Sequence, residues 1–526
     1  MSRGRVTRVR HALVAAIGAW VALGTPSLAQ DVELRSFDGS ITLEGNLLAY
    51  DGAYYQIETI YGPLTVSAEG VSCAGPGCPD LLGFVAEARI AGAATVATGL
   101  LPDLLEGFAA RQGMTLVTEE PDGRGQTVFS LMRADAEPAA RFIVTPTTTD
   151  DGFLALLNGE VDIALTLREP TAPERRAARD QAPEDPPLTR RVRVLALDAL
   201  VPVVAPDSPI TALSMADLAR LYAGEIDSWL ELGGPDAPVA LHMLAPGLGP
   251  AQDFANRVLL ASDRPLARDI IRHDSAKGLS AAVAQDAFAI GIAPRSALDG
   301  LRALALTGSC GFSQTASFDA VKSEDYPLTA PVYLYLAPYR LPQLVRQFLA
   351  FTETAEAEAI VRRAGYVDQT LTRTPLNRQG ERLRNAVLAA GDEVALEDLQ
   401  DMLRRLTDAE RLSPTFRFDD GTAELDAPSR AAVARLARAI EAGRFDGRAL
   451  VFAGFSDTVG TARINVRLAR RRAEAVRDAV RAASEAALGE ARVDLRIEAF
   501  GEALPMACED TDWGRAVNRR VEVWVE

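Results

Sequence analysis

The sequence predicts a multidomain, exported chain: a small all-β N-terminal module, a two-lobed α/β region, a helical linker and an α+β unit at the C-terminus. Three observations predict it. At 526 residues the chain is too long for one domain, given roughly 100–200 residues per domain. The hydrophobic patterning changes along the chain, from period-two alternation to strand–helix alternation and then to charged helical periods. Hydrophobic residues at 48% and charged residues at 24% are ordinary for globular protein, which excludes a disordered or fibrous chain.

Charge narrows the partners. With 55 basic against 72 acidic residues the formal charge is −17, which argues against nucleic acid or anionic lipid as the main partner, since both need a basic surface. Only three histidines occur, His11, His242 and His273, so His-based catalysis and a multi-His metal site are disfavoured and no cofactor is expected. Lys277 and Lys322 are the only lysines.

Residues 1–29 read as a cleaved secretory signal. Arg3, Arg5, Arg8 and Arg10 precede an apolar run from Ala12 to Leu23, and Ser27-Leu28-Ala29 supplies small residues at a cleavage site. The run of about 12 residues is short of the roughly 20 a membrane-crossing helix needs. The arginines are never adjacent, which disfavours twin-arginine export, and no cysteine before Cys73 offers a lipid attachment point.

Residues 30–81 form the small β module. Apolar and polar residues alternate in short runs split by Asp38-Gly39, Asp51-Gly52 and Tyr61-Gly62, turn pairs that tolerate positive φ. Four or five strands are expected. Tyr50, Tyr54, Tyr55 and Tyr61 could build a binding face, but cross-strand packing is the simpler use of them. Cys73 and Cys78 bracket the turn-prone Ala74-Gly75-Pro76-Gly77, and in an oxidising compartment they are expected to bridge. Cys310 and Cys508 then either pair, stapling two domains, or remain free.

Residues 82–370 alternate strands such as Val192–Ala196 and Leu200–Val204 with helical periods such as Leu344–Arg363. That predicts a parallel α/β sheet in two lobes. Residues 371–411 are charged and amphipathic, with Leu399–Leu406 the clearest helical period, and read as a linker or packing helix pair. Residues 412–526 close the chain.

The last segment carries the most specific pattern. Phe416–Leu425 is a strand and turn before a helix at Ser429–Ala442; strand Ala449–Ala453 leads into Gly454-Phe455-Ser456-Asp457-Thr458-Val459-Gly460. The next helix carries Asn465, Leu468 and Arg472, with Leu468, Ala475, Ala479 and Ala482 as the stripe expected to pack on the sheet. Asn518-Arg519-Arg520-Val521-Glu522-Val523-Trp524 ends the chain's motif. Asn465 and Arg472 lie two helical turns apart and so share a face. A fixed carboxylate opposite a fixed guanidinium suits a zwitterion, although the same two groups could simply pair with each other. This order of motifs resembles the OmpA-like peptidoglycan-binding domain. The resemblance implies that Asp457 takes the ammonium of a diaminopimelate stem peptide and Arg472 its carboxylate, with Asn465 in support. The family's G-H-T-D becomes Gly454-Phe455-Ser456-Asp457 here.

The middle segment resembles the periplasmic phosphate-binding (PstS-like) receptors of ABC transport. The resemblance rests on Ala91-Gly92-Ala93-Ala94-Thr95, Thr149-Asp150-Asp151-Gly152-Phe153, Leu156–Arg168, Leu221–Gly234 and Tyr326-Pro327-Leu328. It implies a hinged two-lobed periplasmic-binding-protein fold, with Thr95, Thr149 and Arg168 collecting an oxyanion. The third loop departs: where the family reads S-G-T, this chain has Leu248-Gly249-Pro250, which removes two hydroxyls and one N–H donor.

Together these features predict a non-enzymatic protein of the Gram-negative periplasm, bound non-covalently to peptidoglycan, whose central domain captures or senses phosphate or a related oxyanion. The alternatives are a phosphate receptor serving an ABC permease, or a scaffold whose solute site is lost. A cell-wall hydrolase would need a nucleophile and base, and Gly454-Phe455-Ser456 is not a nucleophile elbow because Thr458 stands where its second glycine belongs.

Overall fold

In the computed structural model of the chain, residues 31–526 are described except for positions 82, 124, 299, 390–393, 419–423, 485–491 and 510–511. The predicted signal, 1–29, lies outside the described residues. No described helix is long and apolar enough to cross a membrane. The chain divides into two compact units at Leu82/Gly83.

The first unit is a five-stranded antiparallel sheet in the order Gly62–Ser67, Tyr54–Thr59, Thr42–Tyr50, Val32–Ser36, Val71–Ala74. Gly39, Gly52 and Gly62 sit at its turns with positive φ, as the sequence requires. Among the described residues its buried core is Val32, Leu34, Tyr55 and Ile57. Tyr50 and Tyr55 are cross-strand partners with ring centroids 4.9 Å apart, so these two tyrosines pack; Tyr61 is 90% exposed. Cys73 and Cys78 are bonded, which fixes the end of the last strand against so small a core.

The second unit contains the α/β region. Its large sheet is mixed rather than parallel, in the order Ile271–His273, Ala240–Leu244, Ala289–Pro294, Val192–Val204, Thr329–Leu336, Ile163–Thr166, Ala86–Ala93, Pro138–Thr147, Thr127–Met132, Thr115–Thr118. Val192–Val204 is one continuous strand where two were expected. Its first half pairs with Thr329–Leu336 and its second half with Ala289–Pro294, so it passes from one lobe to the other. The first lobe packs helix Leu100–Arg111 by its Leu100, Leu101, Leu104, Leu105 and Phe108 onto Phe142, Phe348 and Phe351. The second gathers Tyr222, Trp229, Met243, Phe254 and Val283. The helical period Leu344–Arg363 forms two helices, Gln343–Phe351 and Ala355–Arg363. The break falls where the Thr354 side chain caps Ala357 N–H and starts a new helix.

The C-terminal sheet runs Arg373–Pro375, Glu410–Phe416, Val521–Val525, Ala449–Phe455, Asp494–Gly501. Ala449–Phe455 is buried at every residue, so both faces need cover. Helices Ala427–Glu441 and Ala462–Ala483 cover one face. Helix Leu396–Leu406 covers the other, setting Leu399, Met402 and Leu406 in a cluster with Val451, Phe455 and Trp524. Residues 371–411 thus supply an edge strand and a covering layer to this domain instead of a spacer. On Ala462–Ala483 the buried stripe is Asn465, Ala469, Ala473, Val476 and Val480, one position away from the expected one; Leu468, Ala475 and Ala479 are half-buried and Ala482 is exposed. Gly454 sets the helix close to the sheet, since a Cβ there would lie 2.1 Å from the Ala469 carbonyl oxygen. Cys310 and Cys508 are bonded across the 198 residues between them, joining the α/β region to this domain.

Candidate functional site

The candidate C-terminal site lies where strand Ala449–Phe455 ends and the loop to helix Ala462–Ala483 begins. Asp457 is 7% exposed. Its Oδ2 accepts from Arg519 Nη1 at 2.9 Å, and its Oδ1 has no partner among the described residues. The guanidinium that pairs with Asp457 is therefore Arg519, from the last motif, and not Arg472. Arg472 lies with its Cζ 5.8 Å from the Phe418 ring centroid, and its buried Nη1 has no partner among the described residues. Burial lowers the Arg472 guanidinium from its ordinary value, the charge of Arg519 lowers it further, and Asp457 pulls in the opposite direction. Asn465, fully buried, donates from Nδ2 to Glu502 Oε1 at 2.6 Å while its Oδ1 stays unpaired. Ser456 Oγ is also buried without a partner. One buried polar atom each on Ser456, Asn465 and Arg472 thus lacks a partner among the described residues. Each such atom costs about 1–3 kcal/mol, which a ligand bearing an acceptor and a donor would relieve.

The loop is held from behind. Glu509 Oε2 accepts from Thr458 N–H and Oγ1, and Asn518 Nδ2 donates to Glu509 Oε1 at 2.8 Å. Asn518 Oδ1 in turn accepts from Met506 and Ala507 N–H. Sequence reasoning missed Arg519, Glu502 and Glu509. Arg519 stood inside the quoted closing motif, but nothing in its spacing shows that the last strand returns beside Asp457.

The predicted oxyanion residues Thr95, Thr149 and Arg168 lie just beyond the ends of strands Ala86–Ala93, Pro138–Thr147 and Ile163–Thr166. Gly92 has φ 128°, and a Cβ there would meet the Leu165 carbonyl oxygen at 1.9 Å, so only glycine allows these strands to lie as they do. Thr95 is half-buried with no side-chain hydrogen bond to a described residue. Thr149 is buried and its hydroxyl accepts from Leu167 N–H at 3.0 Å. Its neighbour Thr148 caps the helix in a reciprocal capping box with Asp151. The third loop meets the others here: a Cβ on Gly249 would lie 3.6 Å from Leu167 Cδ1 and 3.8 Å from Ala93 Cα.

Arg168 is occupied by this chain's own acceptors. Its Nη1 donates to Glu174 Oε2 at 2.8 Å and to the Glu169 carbonyl at 2.9 Å, and its Nη2 donates to Glu174 Oε1 at 2.8 Å and to Asp150 Oδ1. Burial alone would lower the guanidinium, but the hydrogen bonds to Glu174 and Asp150 override it and hold it above its ordinary value. Asp150 Oδ2 accepts from Gln252 Nε2 of the second lobe at 2.7 Å. Two carboxylates therefore stand against the one arginine, with Gln252 closing the far side. Nearby, burial raises the Asp253 carboxyl despite its 3.0 Å contact with Arg257.

Residues 83–356 match a family described as the PBP superfamily domain, and residues 417–519 match the OmpA family. The chain is 28% identical over 292 residues to Protein SphX of Synechococcus elongatus, which covers 52% of this chain and 82% of that protein. It is 34% identical over 116 residues to outer membrane porin F of Pseudomonas aeruginosa, covering 22% of this chain and 31% of the porin. Among solved structures it is similar to an ABC-type phosphate transport receptor from Vibrio cholerae, with 19% identity, a TM-score of 0.41, and coverage of 53% of this chain and 99% of that one. With more than half of its length matched, the chain belongs to the PBP superfamily, and it carries a C-terminal domain of the OmpA family.

Proposed function

We propose that the chain is a non-enzymatic protein of the Gram-negative periplasm, exported by residues 1–29 and held non-covalently on peptidoglycan by its C-terminal domain. The observation that carries this reading is the set of unpaired buried atoms at Ser456, Asn465 and Arg472 beside the half-satisfied Asp457 carboxylate. A diaminopimelate side chain offers the complement: its ammonium to Asp457 Oδ1, and its carboxylate to Arg472 Nη1. Asn465 Oδ1 and Ser456 Oγ supply further contacts. Phe455, where the family has histidine, is fully buried beneath the Arg520 guanidinium, so the substitution falls in the core and leaves the loop's polar rim intact.

The central domain is read as a closed body whose oxyanion cleft is satisfied from within. Asp150 and Glu174 take the place against Arg168 that a bound oxyanion would need. An incoming dianion would face both carboxylates, and Leu248 and Pro250 offer it no hydroxyl. On this reading phosphate capture and delivery to an ABC permease are not the protein's work. Titration of the full chain with a diaminopimelate-containing muropeptide tests the proposal. Heat that is lost in Asp457→Ala and Arg472→Ala is expected; heat retained in both variants, or none with the wild type, would overturn it.

A further inference from the structure

We propose that the C-terminal domain is a strap across the two lobes, which holds the cleft of the central domain shut. The two lobes are connected through the sheet by Val192–Val204 and Thr329–Leu336, so an unrestrained pair of lobes would be free to hinge about these strands. The C-terminal domain touches both sides of that hinge. On the first lobe, Ala427 N–H donates to Glu169 Oε1 at 2.8 Å, Arg430 Nη2 to the Thr189 carbonyl at 2.9 Å, and Arg438 Nη1 to Glu353 Oε2 at 2.8 Å. On the second lobe, Arg411 forks onto Asp325 at 2.7 and 3.2 Å, Arg417 Nη2 donates to the Glu324 carbonyl at 2.8 Å, and Cys508 is bonded to Cys310.

One domain bonded to both lobes resists any rotation that separates those two sets of contacts. The second set includes a disulfide, so hinge opening has to break the first. Glu169 is also the residue after Arg168, whose partner Asp150 accepts from Gln252 across the cleft. Arg257 adds a second stitch, donating from the second lobe to the Leu167 carbonyl at 3.1 Å. The strap thus bears on the loop that lines the cleft. Its other end bears on the Asp457 loop, because Glu509, which holds that loop through Thr458, follows Cys508 directly. Cleft opening and the geometry of the Asp457 loop are coupled through one disulfide and one short loop.

Hydrogen exchange on the full chain tests this, comparing wild type with two variants. Cys310→Ser/Cys508→Ser cuts the covalent link, and Arg430→Ala/Arg438→Ala weakens the first-lobe end by removing two of its three contacts while leaving the disulfide in place. Amide exchange over residues 246–257 and 165–169 is expected to accelerate about tenfold or more when the cleft samples an open form, while Ala449–Phe455 stays as protected as in wild type. Such acceleration in either variant supports the strap. Unchanged exchange over the cleft segments in both variants overturns it. If the serine variant loses protection in Ala449–Phe455 as well, the arginine variant alone decides between these two results.

Discussion

Replacing Asp325 by alanine strikes the buried charges at the junction between the second lobe and the C-terminal sheet. Asp325 is 3% exposed and Arg411 6%, and the two make the forked contact described above. Burial would raise the Asp325 carboxyl, but the charges of Arg411 and Arg382 hold it far below the usual carboxylate range. Removing one partner of a buried pair costs about 3–5 kcal/mol, because the other charge is left desolvated. Glu522 Oε2 remains 3.3 Å from Arg411 Nε, but Glu522 is also engaged by Arg382 and Arg520. Because Glu522 still neutralises part of the Arg411 charge, the loss should fall near the lower end, about 3 kcal/mol. Urea unfolding followed by tryptophan fluorescence reads it from both sides, since Trp229 is buried in the second lobe and Trp524 in the C-terminal sheet. The pH dependence gives a second check. A carboxyl with a depressed folded-state pKa contributes stability above its unfolded value, near 3.8, and loses it as pH falls through the folded one. The gap between wild type and Asp325→Ala should therefore narrow below about pH 4. A loss under about 1 kcal/mol at neutral pH, or a gap that stays constant down to pH 3, would refute this account of the junction.

Further outcomes follow from other groups. Burial pushes Glu324 from 4.5 up to about 7, against the opposing charge of Arg417. Its stability contribution is thus complete below pH 4.5 and lost as pH rises through 7, by at most about 3 kcal/mol. Glu324→Gln should remove most of that slope in urea titrations, and Asp198, pushed up to about 6 by burial, should leave a smaller one. Cys73→Ser/Cys78→Ser should speed amide exchange throughout strands 32–36 and 71–74, because closing so short a loop is worth about 2 kcal/mol; unchanged protection there would count against it. Phosphate and sulfate should give no titration heat with the full chain, and micromolar phosphate binding would show that Asp150 and Glu174 yield to an oxyanion. Asn465→Ala should weaken muropeptide binding several-fold while costing under about 1 kcal/mol of stability, since it removes one unpaired buried oxygen along with one good hydrogen bond.

The sequence made the local chemistry readable and left the long-range placements hidden. Asp-Gly turns, the small-residue loop at Gly92 and the Gly454–Gly460 loop announce themselves because positive φ and close backbone approach demand particular residues. The two domains were legible for the same reason, as ordered motifs with fixed spacing. The linker helices were visible by their period, but not the apolar second face of Ala449–Phe455 that they cover. Arg519 beside Asp457, Gln252 beside Asp150 and Asp325 beside Arg411 are separated by 62, 102 and 86 residues. No periodicity links such pairs; only the completed sheets bring them together. The cleft's self-satisfaction was half visible, in Leu248, Pro250 and the nearby Asp150. The second carboxylate, Glu174, came from the capping box of the following helix, where its spacing advertises a helix start and not an arginine partner.

The most direct test of the central claim is co-sedimentation of the oxidised full chain with isolated diaminopimelate-type sacculi, with free diaminopimelate as competitor. Wild type is predicted to pellet with the sacculi and to be released by the competitor, while Asp457→Ala/Arg472→Ala stays in the supernatant. Pelleting of that double variant at the wild-type level, or wild-type pelleting that free diaminopimelate does not reduce, would contradict the assignment of the site.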